Sequence, residues 1–221
     1  MDKTKADWKR IKTCPEPTLR RLPTYYHYLR GLQSAGRDVV SCTHIAQALK
    51  LDPTQIRKDL QVTGIVGKPK VGYEVNALIP AIELFLGWRN ISDAFLAGVG
   101  SMGTALLKYD RFREYGLNIV AAFDRNSAKI GMMIQDKQVL SIDKLADLAR
   151  RMHIHIGIIT VPAESAQEVA DFMIEGGINA IWNFAPTNLI VPDTVIIENV
   201  HLASSLSVLS NKLKNLDRIK V

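Results

Sequence analysis

The chain has 221 residues, 47% of them hydrophobic and 23% charged, with two cysteines. That length and composition fit one large or two small globular domains, and exclude a disordered chain, a disulfide framework built on Cys14 and Cys42, and a four-ligand zinc site made from them. The net charge of +6 is uneven: residues 1–80 hold 14 Lys/Arg and 7 Asp/Glu, whereas residues 81–221 hold 14 and 15, as in a polyanion-binding module joined to a neutral partner.

No window of eighteen apolar residues occurs, so neither a transmembrane helix nor a membrane partner is expected. Residues 1–12 are charged, with no apolar stretch behind them, so no signal peptide is expected and the setting reads as cytoplasmic.

Residues 18–36 read as a helix closed by Gly36, with Leu22, Tyr25, Tyr26, Leu29 and Leu32 on one face and Pro23 near its start. Residues 44–49 follow as a short helix capped by Ser41 or Thr43, with Ile45, Ala46 and Leu49 inward. The run Leu51-Asp52-Pro53-Thr54 breaks that helix, and Thr54 is expected to cap the next, residues 55–60. Two short helices across a tight turn make a helix-turn-helix pattern. Ile56 and Leu60 anchor the second helix, leaving Gln55, Arg57, Lys58 and Asp59 outward. Gln pairs with adenine, Arg with guanine, and Lys with phosphate.

Residues 64–73 are glycine-punctuated and basic, and read as a hairpin wing with Lys68 and Lys70 at the tip; the alternative is a plain surface hairpin. An apolar helix over residues 76–87 completes this module, and residues 87–93 are the linker.

A buried strand then runs into Gly98-Val-Gly100-Ser101-Met102-Gly103, the G-x-G-x-x-G spacing, and a helix expected over residues 102–115. The first glycine allows the turn, the second lets backbone approach a pyrophosphate, and the third brings helix and strand together. A second strand, residues 117–124, ends in Asp124, 21 residues beyond Gly103, where a carboxylate can accept bonds from ribose hydroxyls and repel a 2′-phosphate. NAD(H) is thereby favoured over NADP(H), with neighbouring Arg125 pulling the other way.

Helices over residues 143–152 and 163–175 alternate with strands over residues 154–160, 178–185 and 194–200. Ligands bind at the carboxyl ends of strands in such sheets, which brings Thr160, Val161, Pro162 and Asn183 to the cofactor. His153 and His155 read as packing or surface residues, and no metal site is expected. The final helix, residues 201–221, spaces Leu202, Leu206, Leu209, Leu213 and Leu216 as a heptad seam, which fits helix pairing or packing on its own domain. The expected fold is α/β: a winged helix-turn-helix over residues 1–87, a Rossmann doubly wound parallel sheet over 88–200, and a C-terminal helix over 201–221, a dimerisation helix if the seam pairs.

These stretches, in this order, resemble the Rex family of redox-sensing transcriptional repressors over about residues 15–215. The matching runs are Gln55-Ile-Arg-Lys-Asp-Leu60, Val71-Gly72-Tyr73, Gly98-Val-Gly-Ser-Met-Gly103, Ala121-Ala-Phe-Asp124, Ile158-Ile-Thr-Val-Pro-Ala163 and Asn183-Phe-Ala-Pro186. The resemblance implies a homodimer on palindromic operator DNA, NAD+ or NADH in the Rossmann domains, and a C-terminal helix exchanged between subunits. It further implies release of DNA when NADH binds, with Tyr109 near the nicotinamide.

The chain departs from the family pattern at Gln61-Val62-Thr63-Gly64, at the Lys68-Pro69-Lys70 tip, and at His201, where the family carries an Asp. Two alternatives remain open on the residues: an NAD-dependent oxidoreductase with an accessory domain, or a Rex-like regulator that has lost NADH switching. No catalytic pair is recognisable at the strand ends, which disfavours the first.

Overall fold

The structure, a computed structural model, describes residues 14–219, with side chains through Asn215. The stretch expected to carry no signal peptide, residues 1–12, and the side chain of Leu216 lie outside the described residues. The chain forms two compact units, one of residues up to Asn90 with Glu114–Gly116, the other of Ile91–Arg113 with Leu117–Val221.

In the first unit, α1 (Glu16–Ser34) begins two residues before the expected start and carries Pro23 in its interior. A proline there removes one backbone hydrogen bond and costs about 3 kcal/mol. Burying Leu22, Tyr25, Tyr26 and Leu29 on one face contributes about 1.5–3 kcal/mol each for side chains of this size, so packing wins. Strand β1 (Val39–Val40) follows, then α2 (Cys42–Leu49), whose first turn is closed by Ser41, as expected, accepting from the N–H of His44 at 3.1 Å. Helix α3 (Pro53–Gln61), strand β2 (Tyr73–Glu74) and α4 (Val75–Phe85) complete the unit, with β1 and β2 antiparallel. Ile45, Ile56, Leu60, Leu78 and Ile82 are fully buried with the α1 face.

Asp59 corrects the reading of α3. It does not project outward: it is 0% exposed, on the same face as Ile56 and Leu60. Its carboxylate accepts from Thr18 Oγ1 at 2.9 Å, Arg21 Nε at 2.6 Å, Tyr25 OH at 2.7 Å and Gln55 Nε2 at 2.9 Å. Burial opposes its ionisation, but these donors, led by the Arg21 guanidinium, outweigh it and bring the carboxyl down to about 2. The same burial and the Asp59 charge push the Tyr25 phenol up.

In the second unit, β3 (Ser92–Ala97) leads into α5 (Ser101–Leu107). The single helix expected over residues 102–115 is in fact broken after Leu107, and a 3₁₀ turn, Asp110–Tyr115, follows. Phe112 on that turn packs edge-on to Trp182 with ring centroids 5.7 Å apart, and Gly116 at φ +73° reverses the chain into β4 (Leu117–Asp124).

The hairpin β5 (Met133–Ile134) and β6 (Lys137–Ser141) has no counterpart in the sequence reading. A 3₁₀ turn, Ile142–Lys144, leads into α6 (Leu145–Met152), then β7 (Ile156–Ile159), α7 (Ala163–Glu175), β8 (Ala180–Asn183) and β9 (Ile196–Asn199). The seven strands lie in the order β5-β6-β4-β3-β7-β8-β9, with only β5 antiparallel.

Without that edge strand the parallel strands read 3-2-1-4-5-6 in chain order, the doubly wound dinucleotide arrangement. The strand order reverses beside β3, so a crevice opens at the carboxyl ends of β3 and its neighbours. The last helix, α8 (Leu202–Ile219), leaves Leu202, Leu206, Leu209 and Leu213 58–64% exposed. No helix among the described residues is long and apolar enough to cross a membrane.

The Asp59 cluster makes the first unit acid-sensitive. Because the folded carboxyl titrates at about 2, below the unfolded value near 4, its contribution is full above pH ~4 and disappears as the pH falls to about 2. Asp59→Ala is expected to destabilise the unit by about 3 kcal/mol at neutral pH and to flatten that acid limb. Amide hydrogen exchange of α1 and α3 in the full chain, at several pH values, measures both.

Candidate functional site

Helix α3 starts on Asp52, not Thr54 as expected: the Asp52 carboxylate accepts from the N–H groups of Thr54 and Gln55 at 2.7 and 3.0 Å. The physical reason is Pro53, which has no N–H to offer and a φ already set for the first helical position, so the cap falls one residue before it. These bonds from Gln55 and Thr54 hold the Asp52 carboxyl below the ordinary carboxylate range. Lys50, left-handed at φ 55°, ends α2 and makes the turn between the two helices.

Gln55, Arg57 and Lys58 are exposed on α3, Gln55 at the edge of the buried face, one turn from Asp59. The Gln55 bond to Asp59 fixes its amide, because a carboxylate only accepts and the Nε2 group must face it.

The wing closes between Lys68 and Gly72, with Lys68 N–H donating to Gly72 O at 2.7 Å and Gly72 N–H returning to Lys68 O at 2.9 Å. Pro69, Lys70 and Val71 form the tip, with Lys70 in the left-handed region at φ 61°. Lys68 is not directed outward alone: its ammonium pairs with Glu74 at 2.5 Å.

In the second unit the three motif glycines have three different surroundings. Gly98 turns at φ +99°, and a Cβ there would lie 2.7 Å from the Thr160 carbonyl carbon. A Cβ on Gly103 would lie 2.0 Å from Gly98 O. Gly100 has nothing within 4 Å of a Cβ and takes φ −88°, which any residue adopts. Two glycines therefore serve packing, and the middle one faces open space. Thr160 locks the arrangement, its hydroxyl donating to Gly98 O at 2.6 Å.

That space is a cleft of about 630 Å³, within the usual range for small-molecule sites. Gly98, Gly100, Ser101 and Met102 line it from the turn, Asp124 and Arg125 from the end of β4, and Thr160, Val161 and Pro162 from the end of β7. Asp124 Oδ2 accepts from Val99 N–H at 2.8 Å and from Lys129 Nζ at 3.0 Å, while Oδ1 accepts from Asn126 N–H at 2.8 Å. Burial opposes ionisation of Asp124, but the N–H groups of Asn126 and Val99 and the Lys129 ammonium hold its carboxyl below the usual range.

Lys129, Asn126, Ser165, Ile142 and Val169 also line the cleft, and sequence reasoning missed them. The available signal was Asn126 two residues after Asp124, the spacing of an Asx turn. Lys129 carries no such mark.

Three predicted residues do not line the cleft. Gly103 is packed behind it. Asn183 is fully buried: its Nδ2 donates to Thr187 O and Asn199 Oδ1, and its Oδ1 accepts from Ala185 N–H, so it ties β8 to β9. Tyr109 is 44% exposed beyond the end of α5, edge-on to Phe112 and lining a separate cavity of about 430 Å³ with Asp110 and Leu117.

His153 and His155 are surface residues. His153 ends α6 in the left-handed region and His155 precedes β7, both exposed. Cys14 and Cys42 are free thiols. Among the described residues no group of three His, Cys, Asp or Glu is placed to hold a metal.

Residues 89–187 match the family model described as "CoA binding domain", and residues 13–61 that described as "Putative DNA-binding protein N-terminus". The chain is 46% identical to the redox-sensing transcriptional repressor Rex of Treponema denticola, over 87% of this chain and 92% of that one. It is 43% identical to the Rex of Bacteroides fragilis over 90% of each. Among solved structures it is similar to RSP, a Rex-family repressor, at 34% identity and a TM-score of 0.85, covering 94% of this chain and 97% of that one. RSP in complex with beta-NAD+ and operator DNA aligns at 35% identity with a TM-score of 0.86, covering 94% and 95%.

The different glycine surroundings are separable by substitution. Gly103→Ala, forced against Gly98 O, is expected to cost about 2 kcal/mol, whereas Gly100→Ala is expected to stay within about 1 kcal/mol of the parent. Denaturant unfolding of the two variants checks this.

Proposed function

This chain belongs to the Rex family of redox-sensing transcriptional repressors, and from that membership we propose that it is an NAD(H)-responsive repressor that binds operator DNA as a homodimer and leaves it when NADH replaces NAD+. The observation that carries this reading is the Asp124 carboxylate, held by Val99 N–H at the mouth of the glycine turn in a 3-2-1-4-5-6 sheet. A pyrophosphate fits over Gly100, where nothing of the protein stands within 4 Å of a Cβ, and the adenosine ribose fits beside Asp124. The bound nicotinamide supplies two redox forms for the protein to distinguish.

In this reading Gly98, Gly100, Ser101, Met102, Asp124, Arg125, Thr160, Val161 and Pro162 form the dinucleotide cleft directly. Gly103 and Asn183 act behind it as supports for the turn and for the end of β8. Tyr109, outside the cleft of its own chain, is assigned to reporting the nicotinamide state.

Residues 1–87 are the DNA-binding module. Gln55, with its Nε2 on Asp59, presents its Oε1 and remaining N–H to adenine; Arg57 reads guanine; Lys58 and Lys70 contact phosphate. Lys68 joins them only by leaving Glu74.

Homodimer formation is supported by α8, residues 201–221 in the proposed division, whose four described seam leucines lie open to solvent in the single chain. Exchange of that helix between subunits covers the seam. The free thiols agree with a cytoplasmic site of action. The relatives are repressors rather than enzymes, and so is this chain; the oxidoreductase alternative is set aside.

Switching requires that NAD+ and NADH differ in affinity for the DNA-bound and released forms, since equal affinity shifts nothing. His201, exposed at the start of α8 in place of the family's Asp, makes the size of that difference the quantity to measure. Operator binding by the full chain at fixed salt is expected to be tight with NAD+ and weakened at least about tenfold by NADH. Equal binding would leave a regulator without its switch.

Arg57→Ala with Lys58→Ala is expected to abolish operator binding, and to reduce the salt slope of any residue of it by up to about two, without changing NADH affinity. Asp124→Asn, which keeps an oxygen to accept from Val99 N–H, is expected to do the reverse: weaker NADH by fluorescence titration, with the NADH-free DNA affinity kept.

A further inference from the structure

The ribose end of the cleft holds the determinants of both dinucleotide classes at once. Asp124 is the acid of an NAD site, while Arg125 beside it and Lys129 against it are the cations that a 2′-phosphate would seek. Each cation is matched by one acid. Lys129 pairs with Asp124 at 3.0 Å, and Arg125 leaves the rim of β4 to pair with Glu168 on α7. Glu168 stands one turn beyond Ser165 and next to Val169, both of which line the cleft.

The pairs differ in permanence. Asp124 is 11% exposed and fixed by two backbone N–H groups, so Lys129 faces a charge that does not move. Arg125 and Glu168 are 59% and 52% exposed, on two different elements, and an ion pair that open to water is weak. A 2′-phosphate gains Arg125 only by displacing the Glu168 carboxylate, whose negative charge also repels it.

We propose that Glu168 sets the dinucleotide preference of this chain, by holding Arg125 across the cleft rim and away from the position of a 2′-phosphate. Glu168 is thus a specificity-determining residue that acts through Arg125. With its charge present, Glu168 holds Arg125, with Asp143 adding a further negative charge near it, and the ribose end favours the 2′-hydroxyl. With that charge gone, Arg125 is released to a 2′-phosphate and the site takes NADPH as well.

This inference rests on the dinucleotide reading of the cleft, and the test separates the two. NADH and NADPH are titrated against the full chain by fluorescence, for the parent, Glu168→Gln, Glu168→Ala and the double variant Arg125→Ala with Glu168→Gln. The expected result is that both single variants bring the NADPH and NADH dissociation constants about three- to fivefold closer together, the scale of one exposed ion pair. The double variant returns the ratio to that of the parent. A ratio unmoved in Glu168→Gln and Glu168→Ala, with NADH still bound, overturns the role of Glu168 alone. A double variant as relaxed as the single ones overturns the action through Arg125. A parent chain that binds neither dinucleotide overturns the cleft assignment, and this inference with it.

Discussion

Asp124 Oδ2 accepts from the N–H of Val99 at 2.8 Å, and that bond ties the end of β4 to the turn that leaves β3. Around it the rest of the second unit falls into a sequence of necessities. The turn can pass there only because Gly98 is left-handed and Gly103 lets α5 come against it. Thr160, at the end of β7, then clamps the same turn from the other side through Gly98 O. Three strand ends and one helix are thus fixed by a few polar atoms, and the open space in front of Gly100 is what they leave. Such a network pre-positions the cleft, and pre-positioning lowers the reorganisation a bound dinucleotide must supply.

The first unit depends on an interaction of the same kind, a buried carboxylate with fixed donors. Asp59 joins Thr18, Arg21 and Tyr25 of α1 to Gln55 of its own helix. Removal of one partner would leave charge inside, so α3 is held to α1 by more than apolar packing. The consequence reaches the proposed DNA face. Gln55 has its amide orientation decided from behind, before any base is met, and a pre-set side chain loses less entropy on binding. The orientation of the Gln55 amide is therefore set from the core.

Much of this was legible in the sequence where the signal is local. The glycine spacing, the acid 21 residues later and the short buried strands gave the Rossmann topology, and Ala163–Glu175 came out as read. What escaped depends on partners distant along the chain. Asp59 looks like an exposed charge between Lys58 and Leu60 until Arg21, 38 residues earlier, is brought beside it. Asn183 at a strand end looks like a ligand group until Asn199 and Thr187 use its amide. The helix break after Leu107 has no proline to announce it; Phe112 and Gly116 impose it by packing and by chain reversal. The β5–β6 hairpin is two residues deep on one side, too short for any periodicity to form.

Ion pairing also changes what the basic N-terminal third means. Its excess of cations over acids is a count of charges, and several of those cations are committed within the unit: Arg21 to Asp59, Lys68 to Glu74, Arg20 to Glu16. Long-range attraction of a polyanion follows the sum of charges and is indifferent to such pairs. Contact with a phosphate is different, because a paired lysine must first give up its carboxylate. In the proposed reading, the residues that draw DNA in and the residues that grip it are two overlapping sets, and Arg57 and Lys58 on α3 belong to both. Lys68 belongs to the first while Glu74 holds it. Its entry into the second is a competition between one exposed carboxylate and a phosphate, which rising salt weakens on both sides.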